Sequence, residues 1–204
     1  MSSKVSEIAG ALVRSGCLKF GAFKLKSGTV SPYYVDLTWL LSSPKDFCCV
    51  VDIATEEIRK IMASHKIDGL ASIALKGALL LPSIACGLNI PCLVVRKEKK
   101  TYGVTGRVVG GNVVRGERLL FFDDVITDGK SKLEGIKPLE QLGVRIEMVM
   151  VVVDREQRGR ENLEKSGYRL HALTTISELV KSLYQSSHIS KEQADAVLDY
   201  IKDS

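Results

Sequence analysis

Two adjacent carboxylates, Asp123 and Asp124, follow the apolar run Leu119 to Phe122 and precede Val125-Ile126-Thr127-Asp128-Gly129-Lys130-Ser131. Four consecutive apolar residues are too few for a helix and show no alternation, so they predict a strand buried on both faces of a parallel sheet. Acids arriving where that strand should end fall where open α/β sheets bind ligands, outside the carboxyl ends of their strands. The small, polar stretch 127–131 then leads into a helical pattern, Leu133, Ile136, Leu139 and Leu142. Its backbone N–H groups therefore open a helix N-terminus and suit a phosphate. Gly129-Lys130-Ser131 also matches the tail of a nucleotide-binding P-loop. The first glycine of that motif would fall on Asp124, whose charge opposes bound phosphates, so that reading fails at its anchor.

Three further sites carry charge beside predicted strand ends. Lys76-Gly77 closes the apolar run Gly69 to Leu75, where a lysine can meet an anion or simply be solvated. Arg155 follows Val149 to Val153, the most β-branched run of the chain, and an arginine there can grip a carboxylate with two N–H groups. After the short apolar run 91–95 come Arg96, Lys97, Lys99, Lys100, Tyr102 and Arg107, interspersed with Gly103, Gly106, Gly110 and Gly111. This composition predicts a mobile, positive loop and not a regular element. Lysines closing over a pyrophosphate leaving group would neutralise its developing charge and exclude water.

The elements that must position these groups alternate between helix and strand periods. Val5, Ile8, Ala9, Leu12 and Val13 predict a packing helix stopped by Gly16. Residues 20–26 and 29–37 around Ser27-Gly28 predict two short strands in a hairpin. Ser43 as N-cap and Pro44 at the first helical position open a long amphipathic helix, and a second apolar helix is expected from about 78 to 88. Tyr168 to Leu173 predicts an edge strand. Thr175-x-x-Glu178 and Ser190-x-x-Gln193 are capping-box signatures for two C-terminal helices. The fold class is α/β: a mostly parallel central sheet flanked by helices, with a small N-terminal hairpin hood. We expect one domain over 1–204, with hood elements within about 1–40 and a core from about 41 onward.

Composition agrees with this frame. Of 204 residues, 45% are hydrophobic and 26% charged, which suits a soluble globular domain able to bury a full core. No apolar run approaches the ~18 residues of a membrane span and no signal-peptide core opens the chain, so a cytoplasmic protein without a membrane partner is expected. The five cysteines lack C-x-x-C spacing and sit mostly in apolar patterns, which predicts buried free thiols. His65, His171 and His188 show no ligand spacing and are read as structural or exposed. The net charge of +5 suits anionic ligands, and no basic stripe with interleaved aromatics marks a nucleic-acid surface.

The paired acids followed by apolar-apolar-Thr-x-Gly-x-Ser resemble the sugar-diphosphate motif of type I phosphoribosyltransferases. Lys24-Leu-Lys26-Ser-Gly28-x-x-Ser31-Pro32-Tyr33-Tyr34-x-Asp36-Leu37, Arg96-Lys97-Glu98-x-Lys100-x-Tyr102-Gly103 and Asp154-Arg155-x-x-x-Gly159 narrow the resemblance to orotate phosphoribosyltransferase, alone or as the domain of UMP synthase. It covers about residues 20–160 through four motifs in the family's order. It implies transfer of a phosphoribosyl group from phosphoribosyl pyrophosphate (PRPP) to orotate, with Mg²⁺ bound mainly through substrate and water and without direct protein ligands. By the same resemblance Asp123 and Asp124 hold the ribose hydroxyls with Val125 and Ile126 beside them, and Thr127, Asp128, Gly129, Lys130 and Ser131 hold the 5′-phosphate. Lys76 and Arg96 meet the pyrophosphate. Lys97, Lys100 and Tyr102 act on it from the neighbouring subunit of a homodimer, and with Asp124 make up the catalytic set. Lys26 reaches both substrates, while Tyr34, Val35 and Thr127 border orotate and Arg155 holds its carboxylate. Family members are often fused to orotidine monophosphate decarboxylase, an expected partner in the native protein.

The chain departs from the family at Ser72 and Leu75, where glycine and an aromatic are usual, and at Tyr102, where histidine occurs. Asp128 is the main strain. An acid about 6 Å from a phosphate charge, at an effective dielectric near 20, costs on the order of 2 to 3 kcal/mol. Either its side chain points away, Lys130 compensates, or it complements the helix dipole. Two alternatives follow: a non-catalytic regulator on the same fold that senses the sugar diphosphate or binds RNA, and a phosphoribosyltransferase for another base.

Overall fold

The computed structural model describes residues 3–24, 28–100, 106–111 and 113–202, with 99 and 100 by their backbone alone. Strands β1 (Leu18–Lys24) and β2 (Val30–Val35) pair antiparallel as a separate two-stranded hood. The main sheet contains β3 (Gly69–Ile73), β4 (Cys92–Lys100), β5 (Gly106–Val109), β6 (Arg118–Ile126), β7 (Arg145–Asp154) and β8 (Arg169–Thr175). Its order is β5-β4-β3-β6-β7-β8, and every pairing is parallel except β4 with β5. β6 lies centrally, flanked by the parallel strands β3 and β7, which sets the Asp123-Asp124 pair near the carboxyl edge of the sheet.

Neighbouring residues of a strand face opposite sides, which explains why the central strands are apolar throughout. Phe122, Met150 and Val152 face one core, built with helices α1 (Ser3–Arg14), α2 (Pro44–Met62), α3 (Leu81–Leu88) and α6 (Ile176–Gln185). Phe121, Val149 and Val151 face the other, with Ile136 and Leu139 of α4 (Lys130–Glu140) and Leu163 of α5 (Gly159–Lys165). Helix α7 (Lys191–Lys202) packs on α6 and the hood strand β2. Both C-terminal capping boxes form: Thr175 Oγ1 accepts the Glu178 N–H at 3.2 Å, and Ser190 Oγ accepts the Gln193 N–H at 3.2 Å.

Several local expectations need correction. Strand β6 does not end at the acids but continues to Ile126, because β7 pairs with it as far as Asp154. The positive segment after residue 95 is not simply a loop. Arg96 to Lys100 extend β4, and Val94 and Val95 pair with Val109 and Val108, so β5 satisfies backbone groups that β4 would otherwise leave unpaired. The helix expected from about 78 splits into a 3-10 turn, Gly77–Leu79, and α3. Pro82 has no N–H to continue a helix begun at 78, so it enters instead near the start of α3. Ser43 stands at the N-cap of α2 without a side-chain cap bond, and its hydroxyl donates to Asp46 Oδ2 at 2.7 Å. Asp46 also receives Arg14 Nη2 at 2.6 Å. All five cysteines are free, yet Cys48 and Cys86 are exposed, so apolar patterning overstated their burial.

Candidate active site

An open cleft of about 260 Å³ lies over the carboxyl ends of β3 and β6. Asp123, Asp124, Lys76, Lys97, Thr127 and Ser131 line it, so acids, cations and the phosphate loop converge as the sequence implied. Lys132 lines it too. This lysine is buried, and its ammonium sits 2.7 Å from Asp123 Oδ2 and donates to the Val125 carbonyl at 2.5 Å and Ser131 Oγ at 3.3 Å. It escaped the sequence reading because charged residues in a helical pattern are usually solvated. The available signal was its position four residues before Ile136 and seven before Leu139, on the buried face of α4.

The two acids are not equivalent. Asp123 Oδ1 accepts the Asp124 N–H at 3.0 Å, and its other oxygen takes the lysine. Burial and then the adjacent Asp123 charge push the Asp124 carboxyl up to about 7, against the pull of Lys132. Asp124 therefore changes charge near neutrality, where gain or loss of a ligand can set its proton. Gly77 makes room for the pair. A Cβ at that position would run into the Asp123 carboxylate and backbone and would lie 2.7 Å from Ser72 Oγ. The Lys76-Gly77 pairing thus has a steric reason as well as a charge. The Ala74–Leu75 peptide just before it is cis.

Lys76 does not point into free solvent. Its ammonium lies 3.0 Å from Asp36 Oδ1, joining the turn after β3 to the hood. Asp36 also caps the 3-10 turn Leu37–Ser42 by accepting the Thr38 N–H at 3.2 Å. Burial would lower the Lys76 ammonium, but the Asp36 hydrogen bond and charge outweigh it and raise the net value.

In the phosphate loop, Gly129 takes a left-handed conformation, φ +82°, at the N-cap of α4. That backbone favours glycine. Asp128 Oδ1 accepts the Lys130 N–H at 3.1 Å, and Oδ2 lies 3.1 Å from the Lys130 ammonium. Lys130 therefore compensates Asp128, as one of the expected alternatives held. Although burial pushes the Asp128 carboxyl up, these two contacts hold it below the usual carboxylate range. Gly159 backs the loop: a Cβ there would lie 2.5 Å from the Thr127 carbonyl oxygen.

Arg155 leaves β7 beside the phosphate loop, its N–H donating to the Ile126 carbonyl at 3.0 Å. Its Nε donates to the Tyr33 hydroxyl at 3.1 Å, and its guanidinium carbon sits 4.9 Å from the Tyr33 ring centroid. Tyr33 is fully buried and meets Tyr200 of α7 edge-on at 6.0 Å. Neither tyrosine was singled out in the sequence, although Tyr33 belongs to the Ser31-Pro32-Tyr33-Tyr34 run. Tyr34 is exposed at the hood surface, with its ring 5.6 Å from Phe23. The Val35 and Ile126 side chains are buried in the cores, which leaves their backbones to border a ligand. Val125 is half-buried at the cleft. The Arg96 carbonyl accepts Arg107 Nε at 2.9 Å on the β4–β5 pair. Lys26, Tyr102 and the Lys100 side chain lie outside the described residues.

No family model matches the chain. It is 35% identical over 188 residues to the orotate phosphoribosyltransferase of Pyrococcus horikoshii, covering 92% of this chain and 97% of that protein. It is 36% identical over 187 residues to the uridine 5′-monophosphate synthase of Bos taurus, covering 91% of this chain and 38% of the synthase. Among solved structures, UMP synthase of Leishmania donovani superposes with a TM-score of 0.86 at 28% identity, covering all of this chain and 43% of the synthase. The Pyrococcus alignment runs through the acid pair, the phosphate loop and the Arg155 strand end without leaving either chain short, and on that footing the chain belongs to the orotate phosphoribosyltransferase family.

Proposed function

We propose that this protein transfers the phosphoribosyl group of PRPP to orotate, releasing pyrophosphate and forming orotidine 5′-monophosphate on the route to UMP. The observation that carries the reading is the convergence of a buried acid pair, Lys76 and the phosphate loop on one cleft, with the Arg155 guanidinium one strand away. Acids suit ribose hydroxyls, loop amides suit the 5′-phosphate, and Arg155 suits the carboxylate that separates orotate from purines and from uracil.

As pyrophosphate leaves, C1′ gains oxocarbenium character, and stabilising the leaving charge is the main electrostatic demand. Lys76 stands ready for that, provided it exchanges Asp36 for the incoming diphosphate. Lys97 lines the cleft of its own chain. Lys100 and Tyr102, with Lys97, complete the cationic cover, and we assign them to a site shared across a homodimer. A Mg²⁺ ion bound mainly through ribose, diphosphate and water would supply charge neutralisation to the leaving group. The protein's share is to hold the oxygens that bind it, through the acid pair and Lys76.

No helix among the described residues is long and apolar enough to cross a membrane. The chemistry assigned here suits a cytoplasmic setting without nucleic-acid partners. The two UMP synthase matches support a native setting in which a decarboxylase shares the polypeptide. The test is a spectrophotometric assay of orotate consumption with PRPP, with and without Mg²⁺, alongside uracil and hypoxanthine. Orotate alone should be consumed, and only with the metal. Turnover of another base, or none with orotate, ends this reading.

A further inference from the structure

Lys132 is the one buried cation among the described residues, and the mechanism above leaves it unused. A buried lysine is stable only where its charge is met and its donors are satisfied. Here the three partners belong to different parts of the site. Asp123 lies on the acid pair, Val125 on the continuing strand β6, and Ser131 in the first turn of α4 at the phosphate loop. One ammonium therefore joins the part of the cleft suited to ribose hydroxyls to the part suited to the 5′-phosphate. It also lies close enough to the acid pair to offset its charge, since Lys132 acts against the burial and the Asp123 charge that together favour a proton on Asp124.

We propose that Lys132 is a positioning residue for the sugar diphosphate, clamping the acid pair to the phosphate loop and supplying the cation that lets Asp124 meet ribose as a carboxylate. The inference rests on the reading of the cleft as a PRPP site and goes beyond it by assigning this side chain. Among the described residues three charged groups act on Asp124, namely Asp123 from its own strand, Lys132 from α4 and Lys76 from the turn after β3, while Lys97 from β4 lines the same cleft. Only Lys132 among the cations is both buried and bonded to the pair.

The experiment is PRPP binding to the full chain by titration calorimetry from pH 5.5 to 8.5, for wild type, Lys132→Met and the Asp123→Asn/Lys132→Met pair. Hydroxyl donation to Asp124 needs the carboxylate, so affinity should rise with pH through a midpoint. Lys132→Met leaves the Asp123 charge unopposed, and should weaken binding at pH 7 roughly tenfold or more and move the midpoint up by about one pH unit. If that variant fails to fold, the double variant still decides, because it buries no unpaired charge. Its midpoint should stand close to that of wild type, and where the single variant folds it should lie below the single variant's. Merely structural damage would weaken binding without moving the midpoint. A folded Lys132→Met protein with wild-type affinity and midpoint overturns the assignment, as does a double variant whose midpoint stays raised. Calorimetry without orotate keeps the readings separate: intact PRPP binding without orotate turnover sinks the proposed reaction alone.

Discussion

Replacing Tyr33 by Phe should damage orotate recognition without damaging the fold. Tyr33 is fully buried beneath Arg155 and accepts Nε at 3.1 Å, which leaves the two terminal nitrogens of the guanidinium as the end that can fork onto a carboxylate. The Phe ring keeps the packing against Tyr200 and the stacking under the cation, and only the hydroxyl is lost. Hydrogen bonds to charged groups contribute about 1.5 to 3 kcal/mol, and fixing a long side chain on binding costs roughly 0.5 to 1.5 kcal/mol. The freed arginine must then be ordered by the substrate, so a loss of about 1 to 2 kcal/mol in orotate binding is expected, or roughly 5- to 30-fold. Steady-state kinetics with each substrate varied in turn measures it: KM for orotate should rise by that factor, while KM for PRPP changes little. A folded Tyr33→Phe enzyme with unchanged KM for orotate, or with equal losses for both substrates, would refute the idea that this hydroxyl aims Arg155.

Three other predictions follow from the charges around the cleft. The Asp124 carboxyl, raised from 3.8 to about 7 in the fold, contributes stability that is fully present below pH 4 and lost as pH rises through 7. Its full range is on the order of 4 kcal/mol, so urea melts of the ligand-free protein should show a fall between pH 5 and pH 8 that Asp124→Asn abolishes; an equal fall in both proteins contradicts the assignment. Lys130→Ala should expose the Asp128 charge to the incoming phosphate and raise KM for PRPP roughly tenfold, and adding Asp128→Ala should reverse the rise, while no reversal means that the two side chains do not offset each other. Lys100→Ala should depress kcat far more than PRPP affinity, and unchanged turnover refutes its place in the cationic cover.

Much of this site was legible in linear order because its groups come from short segments next to strand ends. Asp123 and Asp124 follow a run too short and too uniformly apolar to be a helix, and Arg155 and Lys76 close similar runs. A parallel sheet brings such ends to one edge, so their convergence followed from the class of fold. The capping boxes at Thr175 and Ser190 were readable for a similar reason, since each depends on residues only three positions apart. The β4–β5 hairpin was not readable, because charge and glycine content mask a strand whose partner is decided by edge pairing.

What the sequence by itself determined is the alternation of strand and helix, the placing of acids and cations at strand ends, and the resemblance that names the family. Only the tertiary structure decided which charge answers which: Lys132 with Asp123, Lys76 with Asp36, and Arg155 with Tyr33, the last pair 122 positions apart. The reason is that backbone periodicity is a local property carried by neighbouring residues, whereas a buried charge is satisfied by whatever partner packing brings within about 3 Å of it, whatever the distance along the chain.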